Sequence, residues 1–228
     1  MSITYNEVVK RWREERNRLD LSQEEMGRFV HITQTNYSKV EKALRRLSFY
    51  ELKYMCDTEI DVHYSFTAQR GNNHYDELLE GLSYPEVFCY LNIIYSLATL
   101  RGKNGNNAPW KDVYEKVKYV PLLEENPFSK NIWLILRHSM GWQQQKMAEV
   151  LGVDIKKLRD LENGRNLPDS ELLCRLYELF NIPPAVIIKD KRGISSEISI
   201  LLEMLDVDSR LEVCEILRAI RMKRDACH

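Results

Sequence analysis

Two stretches of this chain, offset by about 121 positions, follow the same residue plan. With that shift Trp12 falls on Trp133, Arg16 on Arg137, Gln23 on Gln144, Met26 on Met147, Glu41 on Glu162 and Leu52 on Leu173. Conservative pairs fill the gaps: Leu21 with Trp142, Val30 with Leu151, Ile32 with Val153, Tyr37 with Leu158, and Val40 with Leu161. Each repeat is one supersecondary unit, so whatever shape one adopts the other is expected to share. The matches land on a single helical pattern, which makes coincidence of composition a poor explanation.

Helix is also the expectation outside the repeats. Apolar residues recur at three and four positions, strand-like alternation is hard to find, and glycine and proline are sparse. Ser22 with Glu25 and Ser48 with Glu51 have the spacing of a capping box, in which hydroxyl and carboxylate satisfy orphan amides reciprocally. Pro85, Pro109 and Pro168 each sit where a helix can begin, since proline loses nothing there by lacking an N–H. Gly71-Asn72-Asn73 and the stretch 102–107 read as loops. The fold class expected is all-α.

In the first repeat, Val9, Trp12, Arg16 and Leu19 line one side of a first helix. Ser22 caps a second, Gln23 to Val30, with Met26, Phe29 and Val30 inward. A tight turn, His31-Ile32-Thr33 with Ile32 buried, leads to a third helix from Gln34 to Lys42, and a further helix runs from about Phe49 to Cys56. Two short helices joined by so short a turn make a helix-turn-helix.

The residues that carry the plan, above all Gly141-Trp142-Gln143-Gln144-Gln145, Met147-Ala148, Leu151-Gly152-Val153 and Leu161-Glu162-Asn163-Gly164, resemble the repressor/Cro-type (xenobiotic-response-element) helix-turn-helix regulators. The first repeat resembles them through Arg16, Leu21-Ser22-Gln23-Glu24-Glu25-Met26 and Val40-Glu41. It departs from them at Gly27, where alanine is usual, and at His31 and Ala43, where glycine is usual. The resemblance implies two repressor-like bundles joined by a helical region and followed by C-terminal helices. The segments expected are 1–62, 63–129, 130–190 and 191–228, the first and third being the helix-turn-helix domains. It also implies contact between Arg16 and Glu41 and between Arg137 and Glu162, pairs with equal spacing. A buried arginine needs such a partner, whereas on the surface these would be four ordinary charges.

Sequence-specific binding of double-stranded DNA, as a transcriptional regulator and in particular a repressor, is the function the resemblance implies. The third helix of such a motif enters the major groove. In the first repeat Thr33, Gln34, Thr35, Asn36, Ser38 and Lys39 stand at that helix, and Gln and Asn suit adenine while Thr suits the thymine methyl. Gln23 is placed for phosphate at a helix start, and Lys42, Arg45 and Arg46 follow as phosphate contacts. In the second repeat the corresponding set is Gln144, Lys156, Lys157, Arg159 and Arg165, with Arg159 able to reach guanine. Ile155 replaces Gln34, and Asp154 and Asp160 would repel phosphate, so a purely dimerising or scaffolding second repeat stays open.

Composition narrows the remaining choices. The net charge of −1 means that any attraction to DNA must come from local clusters of cations. No apolar run is long enough for a bilayer and the first residues lack a secretory pattern, so a cytoplasmic protein with no membrane partner is expected. The five cysteines are scattered, which supports neither a zinc site nor a redox pair, and no metal or cofactor is expected. No phosphate-binding loop, dinucleotide fingerprint or His-Glu-x-x-His motif is present, so no enzyme is expected either. Residues 63–130 are rich in aromatics suited to a core or an interface. Near the end, Ile198, Leu201, Leu202 and Leu205, then Leu211, Cys214, Leu217 and Ile220, form apolar stripes that must close on the second repeat or on a second subunit. A homodimer is expected. An antitoxin-like or protein-interaction role, with a protein or peptide partner, is the alternative.

Overall fold

The computed structural model describes residues 4–103, 105, 107–124 and 132–225, and among them every regular element is helical. The first repeat comprises α1 (Tyr5–Arg18), α2 (Gln23–Phe29), α3 (Gln34–Val40), α4 (Phe49–Cys56) and α5 (Val62–Thr67). A 3-10 turn (Asn73–Tyr75) precedes α6 (Asp76–Leu79) and α7 (Tyr84–Ala98), and a π-helical segment (Thr99–Lys103) leads to α8 (Ala108–Val117) and α9 (Val120–Glu124). The second repeat holds α10 (Ile132–Ser139), α11 (Gln144–Leu151), α12 (Ile155–Glu162), α13 (Ser170–Phe180) and α14 (Pro184–Ile188). Two helices follow, α15 (Lys191–Glu203) and α16 (Val207–Asp225). No helix among the described residues is long and apolar enough to cross a membrane.

Helix starts follow local chemistry. Both expected capping boxes form, at Ser22/Glu25 and Ser48/Glu51, and two more stand at Thr4/Glu7 and Ser83/Glu86. Pro85 and Pro109 lie in first turns, whereas Pro168 stands one residue ahead of the Asp169 cap, outside the helix. The π segment takes in Gly102 and Lys103, read from composition as loop. Gly102 lies against the Trp110 backbone so closely that a Cβ would collide with its carbonyl, which explains a glycine inside a helical turn.

Backbone contacts gather the chain into two compact units, residues 1–68 with 121–188, and residues 69–120 with 189–228. In the first unit Val8, Trp12, Met26, Val30, Tyr37, Val40, Leu52, Met55 and Phe66 are fully buried. In the second repeat Trp133, Leu136, Met147, Leu151, Leu158, Leu161, Leu173 and Leu176 do the same work. Two expected core residues are not core. Phe29 is 46% exposed because Met26, Gly27 and Val30 define the inner arc of α2 and Phe29 lies about a third of a turn away. Ile32 is only half-buried.

The repeats join through their last helices. α4 packs on α14, α5 packs on both α13 and α14, and α13 also reaches α1. Applying the repeat offset exchanges α4 with α13 and α5 with α14. The α4–α14 and α5–α13 contacts then swap, and α5–α14 maps onto itself. That is how an isologous dimer interface is built, here inside one chain. A polar seam fastens it: the Leu47 amide donates to Ser170 Oγ (3.0 Å), the Ser170 amide donates to the Leu47 carbonyl (2.9 Å), and Tyr5 Oη lies 2.9 Å from the same Oγ. Burial pushes the Tyr5 hydroxyl up to about 12, Ser170 partly opposing it, so the phenol stays protonated in the seam.

In the second unit α7 is central, burying Val87, Phe88, Tyr90, Leu91, Ile94 and Ala98 against neighbours that include α8 and α15. Part of the C-terminal stripes therefore closes on the middle segment, α15 on α7 and α16 on α6. Tyr90 donates to the Leu217 carbonyl (3.1 Å), Trp110 Nε1 to Ser209 Oγ (3.0 Å) and Tyr75 to Glu203 (2.6 Å). Ile198, Leu201, Leu202, Leu205, Cys214 and Leu217 are buried, but Leu211 and Ile220 are 55% and 37% exposed. The inner arc of α16 runs through Val213, Cys214 and Leu217 and leaves those two outside it.

Candidate nucleic-acid interface

The turn between α2 and α3 depends on one residue in a left-handed conformation. His31 adopts φ 58°, and the chain doubles back so that the Ile32 amide donates to the Gly27 carbonyl at 2.8 Å. At the equivalent place Gly152 adopts φ 62°. The correspondence extends to two further positions: Asp20 (φ 54°) with Gly141 (φ 64°), and Ala43 (φ 56°) with Gly164 (φ 64°). The second repeat meets all three with glycine and the first meets none with it. Gly27, the other departure, is explained by closeness: a Cβ there would lie 2.8 Å from the Ile32 carbonyl oxygen.

Each turn is held by a polar network that recurs group for group. In the first repeat Arg16 donates from Nε to Glu41 Oε1 (2.6 Å) and from Nη1 to the Leu21 carbonyl (2.5 Å), while Gln23 Nε2 donates to Glu41 Oε2 (2.7 Å). In the second, Arg137 donates to Glu162 Oε1 (2.5 Å) and to the Trp142 carbonyl (3.3 Å), and Gln144 Nε2 donates to Glu162 Oε2 (2.7 Å). The Glu41 and Glu162 side chains are 2% and 5% exposed and both arginines 13%, so these are buried pairs and not surface charges. The hydrogen bond it donates to Glu41 holds the Arg16 guanidinium above its ordinary range. The arrangement pins the first helix, the start of the second and the end of the third to one another.

From this anchor each glutamine reaches outward, and here the repeats diverge. Gln23 Oε1 accepts from Gln34 Nε2 (3.3 Å) at the start of α3, whereas Gln144 Oε1 accepts from Arg159 Nε (3.2 Å), one turn further along α12. On α3, Gln34, Thr35 and Lys39 are exposed and Asn36 and Ser38 half-exposed; Thr33 caps the helix by accepting from the Asn36 amide. On α12, Lys156 and Arg159 are exposed and Ile155 is half-buried. Asp154 is the cap, its carboxylate accepting from the Lys157 amide at 2.7 Å. That accounts for an acid at a place where phosphate repulsion was the concern.

Three of the expected phosphate-seeking cations are directed to carboxylates instead. Arg45 grips Glu51 through both terminal nitrogens (3.1 and 2.6 Å), Arg46 pairs with Glu171, and Lys157 with Asp169 (2.9 Å). Burial works to raise Glu51 and Glu171, but hydrogen bonds from Arg45 and Ser48, and from Arg46 and Arg175, outweigh it and hold both carboxyls low. Lys42 and Arg165 remain exposed in the exit loops. The structure also supplies cations that the sequence reading passed over. A cleft of about 360 Å³ beside the end of α3 is lined by Asn6, Lys10, Arg13 and Lys42, with Arg13 donating to the Glu41 carbonyl. The three-residue spacing of Lys10 and Arg13 is the sequence signal for this pair, masked by the apolar side of α1 that Val9 and Trp12 define. In the second repeat Leu134 stands in place of Arg13 and lines a different cleft, with Pro121, Leu122, Ile135, His138 and Ser139. No cluster of three or more His, Cys, Asp or Glu side chains suited to a metal occurs among the described residues.

A family model described as helix-turn-helix matches residues 135–187, which take in nearly all of the second repeat. No curated protein and no solved structure matches the chain. The matched segment supports a DNA-binding regulator.

Proposed function

We propose that this chain is a sequence-specific regulator of transcription, a repressor, that grips double-stranded DNA with both repeats, the first being a second helix-turn-helix. The observation that carries this reading is the duplicated Arg–Glu–Gln network, which fixes α3 and α12 in equivalent frames with polar and cationic faces outward. In this reading α3 lies in the major groove, with Gln34 and Asn36 donating and accepting at adenine, Thr35 against a thymine methyl, and Ser38 and Lys39 alongside. Gln23 and Lys42 hold phosphates. On α12 Arg159, braced by Gln144, reads guanine, while Lys156 and Arg165 hold the backbone. The pairs Arg45–Glu51, Arg46–Glu171 and Lys157–Asp169 are partly exposed and weak enough to exchange a carboxylate for phosphate.

Because the repeats pack with a dimer-like exchange of contacts, one chain stands for two half-sites. In repressors of this motif such half-sites lie about 34–36 Å apart. Their differing faces call for a composite operator instead of a palindrome, and a homodimer would cover four half-sites. Selection of the full chain against random duplex DNA at low and moderate salt tests the reading. An enriched, asymmetric motif is the expected result. Binding without enrichment removes sequence recognition, and no binding at either salt turns the repeats into protein-interaction surfaces.

A further inference from the structure

Among the described residues of the second unit five large apolar side chains are exposed, and four of them are on one helix: Val207, Leu211, Ile220 and Met222 of α16, with Leu100 the fifth. Leu211 and Met222 are 55% and 73% exposed, too much to be frayed core. Between them, on the same face, stand exposed Glu215 and Arg218. Leu211, Glu215, Arg218 and Met222 follow the four-three-four spacing of a coiled-coil seam. The seam is opposite in charge about its own middle, with the acid on the N-terminal side and the base on the C-terminal side.

A surface of that kind fits a second copy of itself. We propose that two chains associate through α16 in an antiparallel pair, about a two-fold axis between Ile216 and Leu217. That register sets Leu211 of one copy opposite Met222 of the other and Glu215 opposite Arg218, each contact made twice. Parallel pairing would instead set acid on acid and base on base, so the central charges select the antiparallel register. The heterologous partner is disfavoured by the same self-complementarity. The inference takes up the homodimer put forward above and gives it a surface. It is measured without DNA, so its failure would leave the DNA reading standing.

The test is sedimentation equilibrium of the full chain over micromolar to high-micromolar concentration. The expected parent species has twice the 27.0 kDa chain mass. Glu215→Arg should weaken association about tenfold or more by crowding four cations at the seam, and the double variant Glu215→Arg/Arg218→Glu should restore it. Leu211→Glu/Met222→Glu should give a monomer with unchanged helical circular dichroism, since neither side chain is core. A parent that stays monomeric, a Glu215→Arg chain as dimeric as the parent, or a double variant that fails to recover would each overturn the proposal.

Discussion

Glu41 accepts from Arg16 and Gln23 and carries the carbonyl to which Arg13 donates, all while almost wholly buried. Removing it strands the Arg16 guanidinium in the interior. Glu41→Ala should therefore cost about 3–5 kcal/mol of stability in urea titration, and Glu162→Ala a similar amount. Glu197 poses the opposite problem. Its carboxyl is buried in the second unit, and burial pushes it up from 4.5 to about 7, with Lys116 only partly opposing the shift. The unfolded chain ionises this group near 4.5 and the folded chain near 7, so its contribution is complete below pH 4.5 and is lost as pH rises through 7. Stability should fall by about 3 kcal/mol across that window, and Glu197→Gln should flatten the profile. A parent profile that is level from pH 5 to 8 would mean that the carboxyl is better solvated than its burial indicates.

At the scale of the element, the exit from α3 is the weak point of the first repeat. Ala43 holds a left-handed conformation that Gly164 holds without penalty. Ala43→Gly should stabilise the protein by about 1 kcal/mol, after the entropy of the added glycine is subtracted, seen as a higher Tm. Specificity belongs to this scale also. Arg159→Ala should cost about 1–3 kcal/mol and relax preference in one part of the operator, while Gln34→Ala/Asn36→Ala should do so in another, read by competition with single-base operator variants. Most helix limits in the repeats were legible because caps are local: Ser22, Thr33 and Ser48 declare the starts of α2, α3 and α4 without reference to anything distant. The direction of Phe29 was not, since the inner arc of α2 is set by how closely the turn approaches Gly27. Nor were the partners of Arg45, Arg46 and Lys157. A sequence shows that a cation is present, but the carboxylate that holds it can come from far along the chain, as Glu171 does for Arg46.

For the whole molecule, an apolar stripe states that it must be covered and is silent about the cover. That is why the sequence leaves the cover of the C-terminal helices open between the second repeat and a second subunit, when the structure sets α15 on α7 and α16 on α6. The overall charge of −1 makes DNA affinity depend on a few exposed cations. With Lys42, Lys156 and Arg165 on phosphates and Arg45, Arg46 and Lys157 transferred to them, log Kobs should fall with log salt at a slope of about −5, and Lys156→Ala/Arg165→Ala should reduce it by about 2. An unchanged slope in that double variant would confine backbone contact to the first repeat.

Neither compact unit is continuous in the chain: residues 69–120 interrupt the first, and residues 121–188 interrupt the second. During synthesis the first repeat leaves the ribosome well ahead of the second, and it must wait for α13 and α14 with the sides of α4 and α5 that meet them uncovered. Meanwhile α7 emerges with Val87, Leu91 and Ile94 and no α15 to close over them. At a translation rate of about 5–20 residues per second, both halves stay open for several seconds. The nascent chain is thus most exposed to chaperones and proteases in its middle, and a message truncated after α14 would release a product whose first unit is whole and whose second unit is bare.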